Sequence, residues 1–228
     1  MNFDNKYCII VPAYQSSETL LPLILRIRKV APMIPLIIVN DGSTDGSEKI
    51  LNQLENFTVV RHSVNLGKGA AIKSGILKAK QMKCACGIFL DSDLQHIPEK
   101  IQDFIRVKES LNVRMVLGKR SFNLYNMPFH RFMSNTVTSF IVSLRTLRRV
   151  HDSQCGFRLI ELDLIKADSC ANDGFQFESE FLIRSLISGT SFMEIEIPTI
   201  YNHSRSSIHN VRDTGRFILL ILKSYFWT

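Results

Sequence analysis

Two carboxylates one residue apart, Asp91 and Asp93, close the apolar run in "GIFLDSDLQHIPEKI" (87–101). On an extended chain the side chains at i and i+2 project the same way, so both can address one object. Like charges held together repel unless a cation or a proton compensates. Mg2+ or Mn2+, bound by one or two carboxylates and by a substrate's phosphates, meets that need. Alone, the triplet reads equally well as a solvated turn whose Asp caps the next helix. Two other segments weigh against that simpler reading. "VNDGSTDGS" puts Asp41 directly after an apolar run, where a carboxylate can accept hydrogen bonds from a base or a ribose. Its Gly42 and Ser43 supply a turn, and Thr44 or Asp45 can cap the following helix. "NLGKGAAIKSG" brings backbone amides and Lys68 to a helix start, a favourable place for phosphate, without either the Walker spacing or GxGxxG.

These residues need a scaffold that holds them together. "YCIIV", "LIIV", "TVV", "GIFL" and "RMVLG" read as strands buried on both faces. Helical patterns lie between them, beginning with 17–30, where Leu20, Leu21, Ile24 and Ile27 share a face. The expectation is an α/β fold with a mostly parallel central sheet flanked by helices. In such sheets ligands bind at the carboxyl ends of the strands, so Tyr14, Asp41 and Asp91 should converge on one edge. The second half is less regular. A basic amphipathic helix is expected at 128–150, a helix at "FQFESEFLIRSLISG", an alternating strand at "FMEIEIP" and an apolar helix at 216–227 after a polar, basic loop.

The 228 residues suit one domain with a sizeable core. Lys and Arg outnumber Asp and Glu 28 to 21, and the pI near 9.3 admits nucleic acid, an anionic membrane or a phosphorylated substrate as partner. Nucleic acid would explain the charge but not the paired carboxylates, so it is not expected. Five scattered cysteines lack zinc-site spacing, which favours reduced thiols in a cytoplasmic protein. The apolar run near the N-terminus is too short for a signal peptide, and none in the chain approaches the roughly 18–20 residues that span a bilayer.

Taken together and in order, "VPAY" (11–14), "NDGSTD" (40–45), "NLGKGAA" (65–71) and "DSDLQH" (91–96) resemble family 2 glycosyltransferases of the GT-A, Rossmann-like fold. "DSDLQHIPEKI", "HDSQCGFRLI" (151–160) and "FQFESEFL" (175–182) look like the branch that makes dolichyl- or polyprenyl-phosphate sugars. The resemblance covers roughly residues 7 to 217 and implies a single GT-A domain over 1–228. About 7–125 would form the nucleotide-sugar and metal half, and about 126–228 the acceptor half.

What the resemblance implies is a metal-dependent, inverting hexosyltransferase. Asp91 and Asp93 would hold Mg2+ or Mn2+ on the donor's diphosphate, with Gln95 as an additional ligand. Pro12, Tyr14, Asp41, Lys68 and Ser92 match the nucleotide pocket. The donor would be a nucleotide-diphosphate sugar, GDP-mannose or UDP-glucose first. A polyprenyl-phosphate acceptor is already anionic and needs cations rather than a base; Arg120, Arg131, Arg205 and Arg212 lie in segments resembling the family's acceptor-phosphate region. A sugar-hydroxyl acceptor, as in cell-surface polysaccharide synthesis, would need a general base, for which Glu178, Glu180 and Asp152 are candidates, Glu180 being the one assigned to catalysis. The "YNE" usual in the family is Tyr14-Gln15-Ser16, so Glu18 would have to supply that carboxylate, and Asn40 replaces the leading Asp of "DDGS". The implied location is cytoplasmic, with peripheral contact at the membrane face or a membrane partner subunit. The basic 131–149 segment and the 216–227 helix could rest on anionic lipid or face the core.

Overall fold

Short β-branched runs become strands here, and the segments with 3.6-residue periodicity between them become helices. The computed structural model describes residues 6–121, 129–165, 172–198 and 210–227, with side chains left out at 129–132 and 210–213. β1 (Tyr7–Ala13), β2 (Leu36–Asp41), β3 (Thr58–His62) and β4 (Cys86–Phe89) alternate with α1 (Ser17–Val30), α2 (Ser47–Gln53) and α3 (Lys68–Gln81). A 3-10 turn at Pro98–Lys100 leads into α4 (Ile101–Leu111), followed by β5 (Met115–Arg120) and α5 (Phe129–Thr146). The chain continues through β6 (Arg158–Glu161), α6 (Gln176–Ile187), β7 (Phe192–Ile197) and α7 (Asn210–Ser224).

The strands form one seven-stranded sheet in the order β3-β2-β1-β4-β6-β5-β7. β3, β2, β1 and β4 are parallel, as the continuous apolar runs require. β6 departs from the expected pattern: its residues were legible only as part of "HDSQCGFRLI", and it runs antiparallel to both β4 and β5, with Arg158 opposite Phe89 and Leu117. This orientation carries function, because the loop before β6 arrives at the edge where β4 and β5 end.

Both faces of the sheet are covered. Ile9, Val11, Leu20, Leu23, Ile27, Phe104 and Phe157 pack on one side, and Ile10, Val39, Ile72, Ile76, Phe177 and Phe181 on the other. In α1 the buried stripe is Leu20, Leu23, Ile24 and Ile27; Leu21, expected on that face, is exposed. A continuous apolar helix start offers two overlapping stripes, and only the packing partner selects one. The helices expected at 128–150 and at the C-terminus are present as α5 and α7. Leu220 of α7 is buried, with Phe217 and Ile221 packed against the core, while its opposite face is exposed. Among the described residues, no helix is long and apolar enough to cross a membrane.

Candidate active site

Where the strand order reverses, between β1 and β4, a parallel sheet opens a crevice at its carboxyl edge. Pairing of β1 with β4 ends at Ile10, two residues before Pro12, so the missing amide of that proline costs no bond in this pair. The loops after the two strands meet through the hydroxyls of Ser16 and Ser92, 2.7 Å apart. Tyr14 stands half exposed at the end of β1. Asp45 accepts hydrogen bonds from the Ser17 amide (2.8 Å) and from the Ser47 amide and hydroxyl, joining the starts of α1 and α2. Burial opposes its charge, but these donors hold its pKa down at about 2.

Asp91 is the hub. Its Oδ1 lies 2.7 Å from Lys68 Nζ, which also lies 2.9 Å from Glu178 Oε2 at the start of α6. Burial acts against Asp91's charge, yet Lys68, then His96 once it is protonated at acid pH, and Arg120 outweigh it and bring the carboxyl to about 2. Lys68 also resists its burial: the Asp91 and Glu178 carboxylates raise its pKa above the ordinary lysine value. Asp93 behaves oppositely. Burial, and next the charge of Asp91, raise its pKa. Asp93 is therefore the carboxylate of the two that is short of positive charge.

The turn after Asp91 is shaped by its own polar atoms. Asp93 Oδ1 accepts the Gln95 amide at 3.0 Å, across Leu94, whose φ of 63° is left-handed. The Asp91 amide donates to His96 Nδ1 at 3.1 Å, which makes that nitrogen the acceptor and leaves the proton on Nε2, 4.0 Å from Asp91 Oδ2. Burial, the largest influence on His96, lowers its pKa and favours this neutral form. On the far side, a Cβ at Gly156 would sit 2.6 Å from Asp91 Oδ2, so only glycine lets the loop before β6 approach the carboxylate this closely.

Several of the expected residues have a definite place. Arg120 pairs with the buried Asp152 through Nε at 2.7 Å and its second guanidinium nitrogen at 3.0 Å, and lies close enough to Asp91 to lower its pKa. Asp41 is only 2% exposed. Its oxygens accept the Leu66 and Gly67 amides, both at 2.9 Å, and one meets His62 Nδ1 at 2.6 Å, with His62 Nε2 2.9 Å from Ser74. In this structure Asp41 therefore clamps the loop that carries Lys68. Part of the α3 start is likewise occupied, since the Ala70 amide donates to the Asp173 carbonyl at 3.0 Å.

Glu180 is the residue expected as the base. It is buried against Asn172, whose side-chain nitrogen is 2.6 Å away, and Arg184 at 3.2 Å. Glu178, two residues earlier, is the α6 carboxylate that reaches Lys68. Arg158 is held by the carbonyls of Cys155 and Ser153, at 2.7 and 2.8 Å, and by the Glu178 carbonyl rather than by either carboxylate. Burial pushes the Cys155 thiol up to about 12, against any nucleophilic use. Glu18 in α1 has no described contact with the cluster. Arg205 lies outside the described residues, as do the side chains of Arg131 and Arg212.

Two contributors had no assigned role in the sequence: His96, which orders the Asp91 turn, and Ser16, which ties the crevice. The histidine lies inside "DSDLQH", but nothing in its spacing reveals that it folds back five residues onto an amide. Among the described residues, no group of three or more His, Cys, Asp or Glu is gathered to hold a metal ion. The Asp91–Asp93 pair nevertheless fits a hard divalent cation whose remaining ligands come from substrate oxygens, and the Lys68 ammonium already neutralises one member.

Known proteins are similar to this chain in sequence and in fold. UDP-N-acetylglucosamine–dolichyl-phosphate N-acetylglucosaminyltransferase of Methanococcus voltae is 28% identical over 219 residues, covering 87% of this chain and 87% of that protein. Polyprenol monophosphomannose synthase of Mycolicibacterium smegmatis is 24% identical over 204 residues, covering 83% and 75%. The solved glucosyl-3-phosphoglycerate synthase of Mycobacterium tuberculosis, in complex with Mn2+, UDP and phosphoglyceric acid, matches 96% of this chain and 78% of its own. Its TM-score is 0.73 at 18% identity, a likeness of fold that makes this sheet a GT-A sheet. Residues 8–167 match the model of Glycosyl transferase family 2. That match covers well over half of the chain, and the chain belongs to this family.

Proposed function

We propose that the protein moves a hexose, with inversion, from a nucleotide-diphosphate sugar to a polyprenyl- or dolichyl-phosphate carrier. One observation carries the choice of acceptor. Every carboxylate considered as a base for a hydroxyl is paired with a cation: Glu178 with Lys68, Asp152 with Arg120 and Glu180 with Arg184. A lipid phosphate is already ionised and attacks without a base, so this distribution suits it. The names of the two curated relatives point the same way.

In this reading Asp91 and Asp93, with Gln95 beside them, hold the divalent cation and the donor's diphosphate. Such a cation, held there, would supply Lewis acidity for the charge that develops on the leaving diphosphate. Pro12, Tyr14 and Ser92 line the nucleotide crevice, Asp41 positions the loop bearing Lys68, and Lys68 supplies a second positive charge beside the diphosphate. Arg120 would serve the acceptor phosphate, a role that the resemblance also gives to Arg131, Arg205 and Arg212 of the acceptor half (126–228). His96 fixes the Asp91 turn, and Gly156 lets the loop before β6 close on it. The enzyme would work at the cytoplasmic face of a membrane, where nucleotide sugars and lipid phosphates meet.

The test is transfer of radiolabelled sugar from GDP-mannose, UDP-glucose or UDP-N-acetylglucosamine to a polyprenyl phosphate, with Mg2+ or Mn2+. Label extracted into organic solvent is expected. Label found only in water-soluble product would overturn the lipid acceptor in favour of a hydroxyl.

A further inference from the structure

Two helices leave large apolar side chains in water. On α5, Met133, Val137, Phe140 and Leu144 recur at helical spacing, and Phe140 and Leu144 are 66% and 63% exposed. Asn135, Ser139, Val142 and Thr146 form the opposite, buried face. On α7 and the turn after it, Ile218, Leu219, Leu222, Tyr225 and Phe226 share one exposed face, with Leu222 at 57% and Phe226 at 86%. The two helices touch at their C-terminal ends. Arg145 Nε donates to Ser224 Oγ at 2.8 Å, and the guanidinium lies 4.5 Å from the centre of the Tyr225 ring.

The charge around these stripes has one sign. Residues 129–149 contain four arginines and no carboxylate. Residues 210–227 contain Arg212, Arg216 and Lys223 against a single carboxylate, Asp213. Stripes of this size on a soluble surface mark a docking face rather than ordinary exposure. A second copy of the chain docking by this face would set like charges against each other across a two-fold axis. An anionic lipid surface offers the complementary charge together with an apolar layer for Phe140, Leu144, Leu222 and Phe226. We infer that the joined α5–α7 face is a peripheral docking surface for anionic membrane.

This deepens the lipid-phosphate reading and places the chain where such an acceptor resides, but its test is independent of transfer. The full chain is sedimented with vesicles of pure phosphatidylcholine, and with vesicles containing a third phosphatidylglycerol, neither holding polyprenyl phosphate. Binding to the anionic vesicles alone, weakening as salt rises, is expected. Phe140→Glu/Leu144→Glu and Leu222→Glu/Phe226→Glu should each weaken it roughly tenfold or more, with unchanged circular dichroism. A measurement without variants uses the chain's single tryptophan, Trp227, next to the exposed Phe226. Brominated acyl chains in anionic vesicles should quench its fluorescence. Absence of both binding and quenching would overturn the inference. So would equal binding to neutral vesicles, or a dimer in sedimentation velocity that the same variants abolish. Failure of the transfer reading would instead show as vesicle binding with no label passed to a short, water-soluble polyprenyl phosphate.

Discussion

Asp91 and Asp93 are the same residue type two positions apart, yet their surroundings push them in opposite directions. Lys68 outweighs burial at Asp91, whereas Asp93 has burial and Asp91's charge against it. The sign of each effect on stability follows. Asp91's depressed pKa contributes stability fully present above its ordinary 3.8 and lost as pH falls towards about 2. Asp93's raised pKa works in reverse, favouring the folded state at acid pH and weakening it once the carboxyl ionises. Thermal unfolding of the metal-free protein should therefore show Asp93→Asn more stable than wild type at neutral pH. Asp91→Asn should be less stable there, with its deficit closing as pH falls from about 4 to about 2. Either substitution should reduce transfer on the order of a thousandfold, read as label per minute at saturating donor. Lys68→Met leaves Asp91 and Glu178 uncompensated and should cost about 3 kcal/mol in urea denaturation without metal. Mn2+ should restore part of that loss.

Two close approaches set the elements around the site. α3 lies against β1 and β2 because Gly75 has no side chain: a Cβ there would meet Ile10 Cγ2 at 2.5 Å and Val39 Cγ2 at 3.2 Å. Gly75→Ala should destabilise the fold by about 1–3 kcal/mol through overpacking, measured by denaturant unfolding. Gly156 does the same for the loop before β6, but its neighbour is the Asp91 carboxylate rather than the core. Gly156→Ala should therefore lower transfer and metal affinity at least tenfold while moving the melting temperature by only a few degrees. Comparing titrations of Mn2+ with thermal scans for the two alanine variants checks this contrast. The antiparallel course of β6 makes the second contact available, since a parallel strand would have sent its preceding loop to the opposite edge.

At the scale of the molecule, the crevice sits between loops from β1, β2, β4 and β5 and the segment entering β6, with α6 closing one side through Glu178. A ligand that bridges these parts should stabilise the native state by mass action. A nucleoside diphosphate with Mn2+ should raise the melting temperature in a saturable way, by about 2.7 kcal/mol of stability at a hundredfold excess over the dissociation constant. A chelator should abolish the effect, and Asp91→Asn should not show it. The buried side of α5 packs on the segment entering β6 through Ser139 and Ser153. Phe140, Leu144, Leu222 and Phe226, however, are exposed, so vesicle binding and nucleotide binding should vary separately among variants of these four.

Sequence alone determined the local and periodic features. The strands of the first half, α1 to its end residues, and the order of the polar loops all follow from apolar periodicity and turn chemistry, which act over a few residues. The pair at 91 and 93 was legible because alternation along an extended chain is local too. Tertiary structure decided whatever depends on long-range approach. It chose Leu23 over Leu21, ran β6 antiparallel, and turned Glu178 rather than Glu180 towards Lys68. It also buried Asp41 under His62 and two amides, and brought Gly156 against Asp91. These contacts join residues far apart in the chain, or turn on which side of a helix meets the core. Spacing lists the candidates for such contacts; only the packed sheet and its helices select among them.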